Sequence, residues 1–305
     1  MENKILHRLF HTMGIAVHCT FIGISDKDAD IRTAEAEKIF SSYDERFSRF
    51  KETSELHRLN TSNGIPQKVS IEMFQVIKEC VMLSKETSGA FDPSVGSILA
   101  SYGYGLPANF ILPDTIPTYE SIVFNNQDLE ITLAPGQVLE PASLVKSIAI
   151  SAAGQAFDGI PGFMINAGGD ILTRGTFEKG LPWNIAIQDP RNPRAIVAAV
   201  SIRNAGMATS GVYQAHGEHQ GKPWHHLINM QNGNTTRGIT SATVIAHTCE
   251  EADTEATLAI LLGPTLGVMR LEQRGFPYFL ILDDGTIRKN AAFTALEVPI
   301  DTLIS

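Results

Sequence analysis

Apolar and polar positions change period several times along the chain. Residues 12–22 (TMGIAVHCTFI) predict a strand, and residues 30–47 follow the helical period, with Ile39, Tyr43, Phe47 and Phe50 on one stripe. The segment FKETSELHRLN, ending at Asn60, reads as a loop. A second helix is predicted over 71–87, with Met73, Val76, Ile77, Cys80 and Val81 facing inward and Ser70 as its N-cap. Residues 88–105 (SGAFDPSVGSILASYGYG) are rich in Gly and small residues and read as a loop with a short helical piece. Pro107, Pro113 and Pro117 mark a connector. Short strands fit 121–124 and 129–133, and a helix fits 141–157. From 160 onward strands dominate, at 163–166, 183–188, 196–203, 239–246 and 277–282, around one strong helix at 249–262. Strands and helices mix without regular alternation, which predicts an α+β fold with a largely antiparallel sheet packed with helices. No composition break divides the chain, so a single domain over 1–305 is expected.

Hydrophobic residues make up 43% of the 305, enough for a sizeable core. The net charge is -9, from 24 basic and 33 acidic side chains, with no run of Lys and Arg to track a phosphate backbone. Nucleic acid is therefore not expected as a partner. An acidic protein can still hold an anionic cofactor where a metal ion and backbone N–H groups supply local positive charge. Cys19, Cys80 and Cys249 are far apart and lack metal-ligand spacing, so each is expected to be a small core residue in a reducing compartment. His11 and His18 interrupt the only early apolar stretch, and no stretch approaches the ~20 apolar residues of a membrane span. The expected location is cytoplasmic, with no membrane span.

The segment ITSATVIAHTCEEADTEATLAILLG, 239–263, carries the most chemistry. An alternating strand turns into a helix opened by a capping box, Thr248 with Glu251, and stopped by Gly263-Pro264. Asp253 and Thr257 are four apart and share a helix face. A carboxylate and a hydroxyl one turn apart can both give oxygen to a hard cation such as Mg²⁺. The alternative is an exposed polar face, since Glu250, Glu251 and Glu255 lie beside them. In FMINAGGDILTRG, 163–175, a short strand runs into Gly168-Gly169-Asp170, where a ligand or another segment can approach the backbone closely. A tight turn or bulge explains the same residues, and the third Gly of a dinucleotide fingerprint is missing. Asp92 before Pro93 opens a turn, and 208–213 (ATSGVY) is small and turn-like. His216, His219, His225 and His226 are spaced too irregularly for a closed zinc site and read as a surface loop.

Taken in order, these segments resemble the ApbE family of FAD:protein FMN transferases. Met13-Gly14 matches an early Met-Gly-Thr, with Ile15 in place of Thr. Phe47-Ser48-Arg49-Phe50, Ser54-Glu55-Leu56 and Leu59-Asn60 match the next motif. Residues 88–95 match Gly-Ala-Phe-Asp-Pro-Thr-Val, and 166–170 match Asn-Ala-Gly-Gly-Asp. Trp183, Ile187 and Asp189-Pro190 follow, then Thr209-Ser210-Gly211 with Tyr213. A looser match covers 226–233, and Ala252-Asp253 with Ala256-Thr257 matches Ala-Asp-Ala-Leu-Ala-Thr.

The resemblance implies an ApbE-like (T-fold-like) domain with an FAD cleft between its N-terminal and C-terminal parts. It implies that Asp253 and Thr257 are side-chain ligands of Mg²⁺ and that the Ser143 carbonyl is a third ligand. Met13, Phe50, Ala90, Phe91, Asp92, Glu140 and Lys146 would touch FAD, and Gly168, Gly169 and Asp170 would line the same cleft. The implied reaction moves FMN from FAD onto a threonine of an acceptor flavoprotein and releases AMP. FAD binding without transfer and FAD hydrolysis to FMN and AMP are the alternatives. His226 is the candidate base, an imidazole able to take a proton near neutral pH; orientation of its own loop is the competing role.

The family pattern Asp-Leu-Gly-Gly-Ile-Ala-Lys-Gly-Tyr departs here to EPASLVKSI, 140–148. Lys146 is kept, Asp has become Glu140, and Ala142 and Ser143 replace two glycines, which is expected to crowd the pyrophosphate. Phe50 stands where Tyr is common.

Overall fold

In the computed structural model, residues 4–104, 112–213, 216–219 and 222–303 are described. The predicted connector at Pro107 lies outside them. Helices α1 (Asp26–Phe47), α2 (Glu55–Asn60), α3 (Ile71–Glu86), α4 (Gly96–Ser101), α5 (Ala142–Ala156) and α6 (Cys249–Arg274) carry most of the helical residues. The chain divides into two compact units: 1–41 with 146–213 and 237–305, and 42–145 with 214–236.

The first unit is built on one sheet. Its strands are β1 (Ile5–Thr12), β2 (Ile15–Ile22), β3 (Gly162–Ala167), β4 (Asp170–Gly175), β5 (Gly206–Gly211), β6 (Ile239–Ala246), β7 (Tyr278–Leu282) and β8 (Ile287–Lys289). They lie side by side in chain order, each neighbouring pair antiparallel. The strand expected at 12–22 is the second arm of a hairpin whose turn, Met13-Gly14, has φ of 50° and 73°. β1 escapes a pattern search because it lies at the sheet edge and mixes His7, Arg8 and His11 with its apolar residues.

Alternation sorts the two faces of the sheet. Met207 of β5 packs with Ile171, Ile245, Phe279 and Ile281 against the ribbon Trp183–Asp189/Asn192–Ile202. Ala208, on the opposite face, packs with Ala246 and with Ala252 of α6. The part of α1 in this unit buries Ala29, Ala36 and Phe40, and Phe40 meets Phe10 edge-on at 5.6 Å. Ile39 is only half-buried, so the buried stripe is rotated from the predicted one.

α6 opens with the predicted capping box at Thr248 and Glu251. It breaks at Gly263 (φ 77°, ψ -179°) as its stop signal requires. Pro264 then starts a further helical run to Arg274, which the sequence reading missed; proline is tolerated at a helix's first position because no intrahelical N–H is needed there. Buried Glu255 accepts two hydrogen bonds from Arg270 at 2.8 Å and joins the two runs.

In the second unit, α2 occupies part of the expected loop. Ser54 caps it, accepting from His57 N at 2.9 Å, and it buries Leu56 and Leu59. Two apolar positions are too few to show a period. Ser70 caps α3 as predicted, accepting from Met73 N at 3.1 Å. Phe50 lies beyond α1 and is 67% exposed, so it does not continue the helix stripe. Pro93–Val95 forms a 3-10 turn leading into α4, and 67–68, 130–132 and 123–125 form a small antiparallel sheet. The histidine-bearing segment, expected as a surface loop, pairs 216–219 with 222–225 as a hairpin. Its Gly and Pro residues hide the strand pattern.

Gly206, at the start of β5, sits so close to the α6 N-terminus that a Cβ there would run into the Thr248 carbonyl and Cys249 N. Both obstacles are backbone. Gly206→Ala is therefore expected to cost about 1–3 kcal/mol, read as a lower urea midpoint at an unchanged m-value. An unchanged midpoint would contradict this packing.

Candidate functional site

In the first unit, the second turn of α5 brings Lys146 to Asp170, the first residue of β4, with Nζ 2.6 Å from Oδ2. Asp170 is 1% exposed. It follows the β3–β4 turn at Gly168-Gly169, whose φ values of 61° and 101° suit glycine. That turn is closed by Gly169 N–H donating to Asn166 Oδ1 at 3.0 Å. Thr209 N–H on β5 donates to the other Asp170 oxygen at 3.4 Å.

On α6, Asp253 and Thr257 are each 5% exposed. The exposed polar face offered as the alternative reading is therefore excluded for this pair. Asp253 Oδ2 is buried with no hydrogen-bond partner among the described residues. Burial first, and then the Asp170 charge, push its pKa up to about 8, although Lys146 and a hydrogen bond from Ser147 oppose the shift. Burial alone would lower the Lys146 pKa, but Asp170 and Asp253 outweigh it and hold the ammonium above its ordinary value. Buried Cys249 is raised by burial and by the same acids, which leaves it an inert thiol. Thr257 Oγ1 lies 2.9 Å from Ser210 Oγ on β5.

These groups suit a hard cation better than a proton alone. A buried carboxylate oxygen without a donor, beside a hydroxyl one helical turn on, is an oxygen-only ligand pair. Among the described residues no group of three or more His, Cys, Asp or Glu side chains could hold a metal ion, so the ligand set could not be completed by side chains of those types.

The second unit holds other residues singled out in the sequence. Ala90 and Phe91 are buried. Their N–H groups donate to Thr87 O and Thr87 Oγ1, both at 3.1 Å. Asp92 Oδ1 and Oδ2 each accept a backbone N–H, from Ser94 and Tyr119, at 2.8 Å. Burial raises the Asp92 pKa against these donors. Glu140 accepts from Ala142 N at 3.0 Å, capping the start of α5, and its other oxygen pairs with Arg49. The Arg49 guanidinium lies 4.2 Å from the centre of the Tyr104 ring and 5.0 Å from that of Phe50. Ser143 lies in the first turn of α5, and its side chain is outside the described residues. His226 is half-buried, in the link between 222–225 and 228–229. The side chains of His216 and His219 are outside the described residues.

The structure thus gathers Lys146, Asp170, Asp253 and Thr257 in one unit. The sequence reading gave no role to Ser147 or Ser210. Ser147 directly follows the retained lysine, and Ser210 lies in the Thr-Ser-Gly segment, so both were visible as pattern without partners.

The ApbE family matches residues 13–280. The chain belongs to the ApbE family. A relative from Haemophilus influenzae named FAD:protein FMN transferase is 27% identical, over 95% of this chain and 91% of its own. One of the same name from Vibrio cholerae is 29% identical, over 90% of this chain and 87% of its own. The crystal structure of the ApbE protein of Thermotoga maritima shares the fold, with a TM-score of 0.86 at 23% identity, covering 97% of this chain and 100% of that one. The α+β, largely antiparallel architecture is thus that of other ApbE structures. No helix among the described residues of this ApbE chain is long and apolar enough to cross a membrane.

The raised Asp253 pKa has a sign that can be tested. With metal removed, the folded chain keeps a proton between the ordinary 3.8 and about 8 that the unfolded chain releases. Stability therefore falls as pH rises through that window and levels off above it. Asp253→Asn lacks this dependence, so its stability should gain on the wild type from about pH 4 to about pH 8 and no further above. The measurement is urea unfolding of both proteins in chelator; a gap constant across that range would contradict the assignment.

Proposed function

We propose that this chain transfers FMN from FAD to a threonine hydroxyl of an acceptor flavoprotein and releases AMP, with Mg²⁺ held by Asp253 and Thr257. The observation that carries this reading is the buried Asp253 oxygen without a donor, one helical turn from Thr257 and beside the Lys146–Asp170 pair. The names of the relatives, aligned over nine-tenths or more of this chain, supply the substrate class.

In this reading the Ser143 carbonyl completes the protein ligands with Asp253 and Thr257. Bound there, Mg²⁺ would offset charge gathering on the pyrophosphate oxygens. Lys146, kept fully charged by its two acids, supplies a fixed positive group for the same phosphates. Asp170 orients that lysine. Met13, Phe50, Ala90, Phe91, Asp92, Glu140 and the Gly168-Gly169 turn are proposed to contact FAD. The 90–92 segment has its own donors and its carboxylate already engaged, so its part is to present a fixed surface. The threonine oxygen attacks the phosphorus of the FMN half; the Oγ–P bond forms as the bridging P–O bond breaks, and AMP leaves with the bridging oxygen. His226 takes the threonine proton.

Incubation with FAD, Mg²⁺ and an acceptor flavoprotein should add one FMN per acceptor and release an equal amount of AMP. Chelator should stop the reaction. Asp253→Ala should lower the rate by on the order of 10²–10³-fold or more with the fold intact by circular dichroism. Free FMN formed without acceptor would favour hydrolysis, and tight metal-independent FAD binding without cleavage would favour a binding protein.

A further inference from the structure

We propose that Ser210 is a positioning residue for Thr257: its Oγ accepts a hydrogen bond from the Thr257 hydroxyl, leaving the Thr257 lone pairs for the divalent cation. The inference rests on the reading of Asp253 and Thr257 as cation ligands and extends it to a residue that does not itself touch the ion.

Some helical hydroxyls among the described residues turn back to their own helix, while Ser151 of α5 reaches Glu250 instead. Thr33 donates to Ala29 O at 2.7 Å and Ser84 to Cys80 O at 2.7 Å, the habit of Ser and Thr four residues past a carbonyl. Thr257 has Ser210 Oγ at 2.9 Å, on a strand 47 residues earlier. A hydroxyl that gives a lone pair to a cation becomes a stronger donor, and its proton needs an acceptor on the side away from the ion. Ser210 Oγ stands at hydrogen-bond distance to be that acceptor. Both side chains are buried, at 7% and 5% exposure, so bulk water does not compete.

Ser210 is also held rigidly. β5 pairs with β6 in unbroken register, Ser210 opposite Ala242. The preceding residue ties the same strand to the other half of the site: Thr209 N–H reaches Asp170, and Thr209 Oγ1 lies 2.8 Å from Thr243 Oγ1. Adjacent strand residues point to opposite faces, so this dipeptide supports Asp170 through its backbone while Ser210 reaches α6. Without the Ser210 oxygen, Thr257 is free to rotate toward the Asp253 carbonyl as Thr33 and Ser84 do toward theirs.

The test uses the full chain with FAD and no acceptor, titrated with Mn²⁺ while the free ion is counted by its electron paramagnetic resonance signal. Ser210→Ala should weaken Mn²⁺ binding about tenfold. In the transfer assay it should raise the Mg²⁺ concentration for half-maximal rate by the same factor, with kcat restored at saturating Mg²⁺. Ser210→Thr should recover affinity and Ser210→Val should not; they share an outline and differ by the hydroxyl, so this pair decides if Ser210→Ala does not fold. Ser210→Ala and Ser210→Val binding Mn²⁺ like the wild type, while Thr257→Val loses it, would overturn the role of Ser210 alone. Wild type and Asp253→Ala binding Mn²⁺ equally would overturn the ligand reading and this inference with it.

Discussion

A half-buried lysine held against two buried carboxylates is the constraint on which the first unit depends. Taking charges out of water costs several kcal/mol per ion unless partners replace the solvent. Lys146 and Asp170 meet that cost for each other at 2.6 Å, and the Thr209 N–H adds a donor. Asp253 has no such full compensation and is pushed toward its neutral form instead. A core selected for stability alone would replace that acid with an apolar residue. Its place beside a lysine and a hydroxyl is the reason we propose it as a ligand rather than a packing residue.

The scaffold explains how such a site stays ordered. The sheet runs in chain order, so every central strand has both edges paired and its side chains are fixed to one face or the other. β5 lies against α6 closely enough that only glycine fits at Gly206. The capping box fixes the first turn of α6, and the Glu255–Arg270 pair secures the helix beyond its break. Asp253 and Thr257 lie between the capping box and the break at Gly263.

The departures from the family pattern at 140–147 have a local structural account. Leu144 and Val145 N–H groups both return to Pro141 O, so the helix starts at Ala142, directly after Pro141. Glu140 is long enough to cap that start and still pair with Arg49. A negative side chain at a helix N-terminus is favourable, and Pro is well placed there. The segment forms a capped helix start.

Much of this was legible from the chain alone, and the reason is local. The 71–86 and 142–156 helices, the β6 strand and the capping box of α6 are set by period and by residues three or four apart, which the sequence states directly. The Asp253–Thr257 spacing was equally local. What it could not say is whether that face met water or protein, because burial depends on β5 arriving from a distant part of the chain. The same holds for Lys146 with Asp170, 24 residues and a hairpin apart, and for Ser210 with Thr257. β1 and α2 stayed hidden because an edge strand with polar residues and a helix with two buried leucines have almost no period to read. The sequence by itself determined the elements and the chemistry available at each position; only the tertiary structure decided which side chains lost their water, and desolvation is what makes those carboxylates, that lysine and those hydroxyls a candidate site.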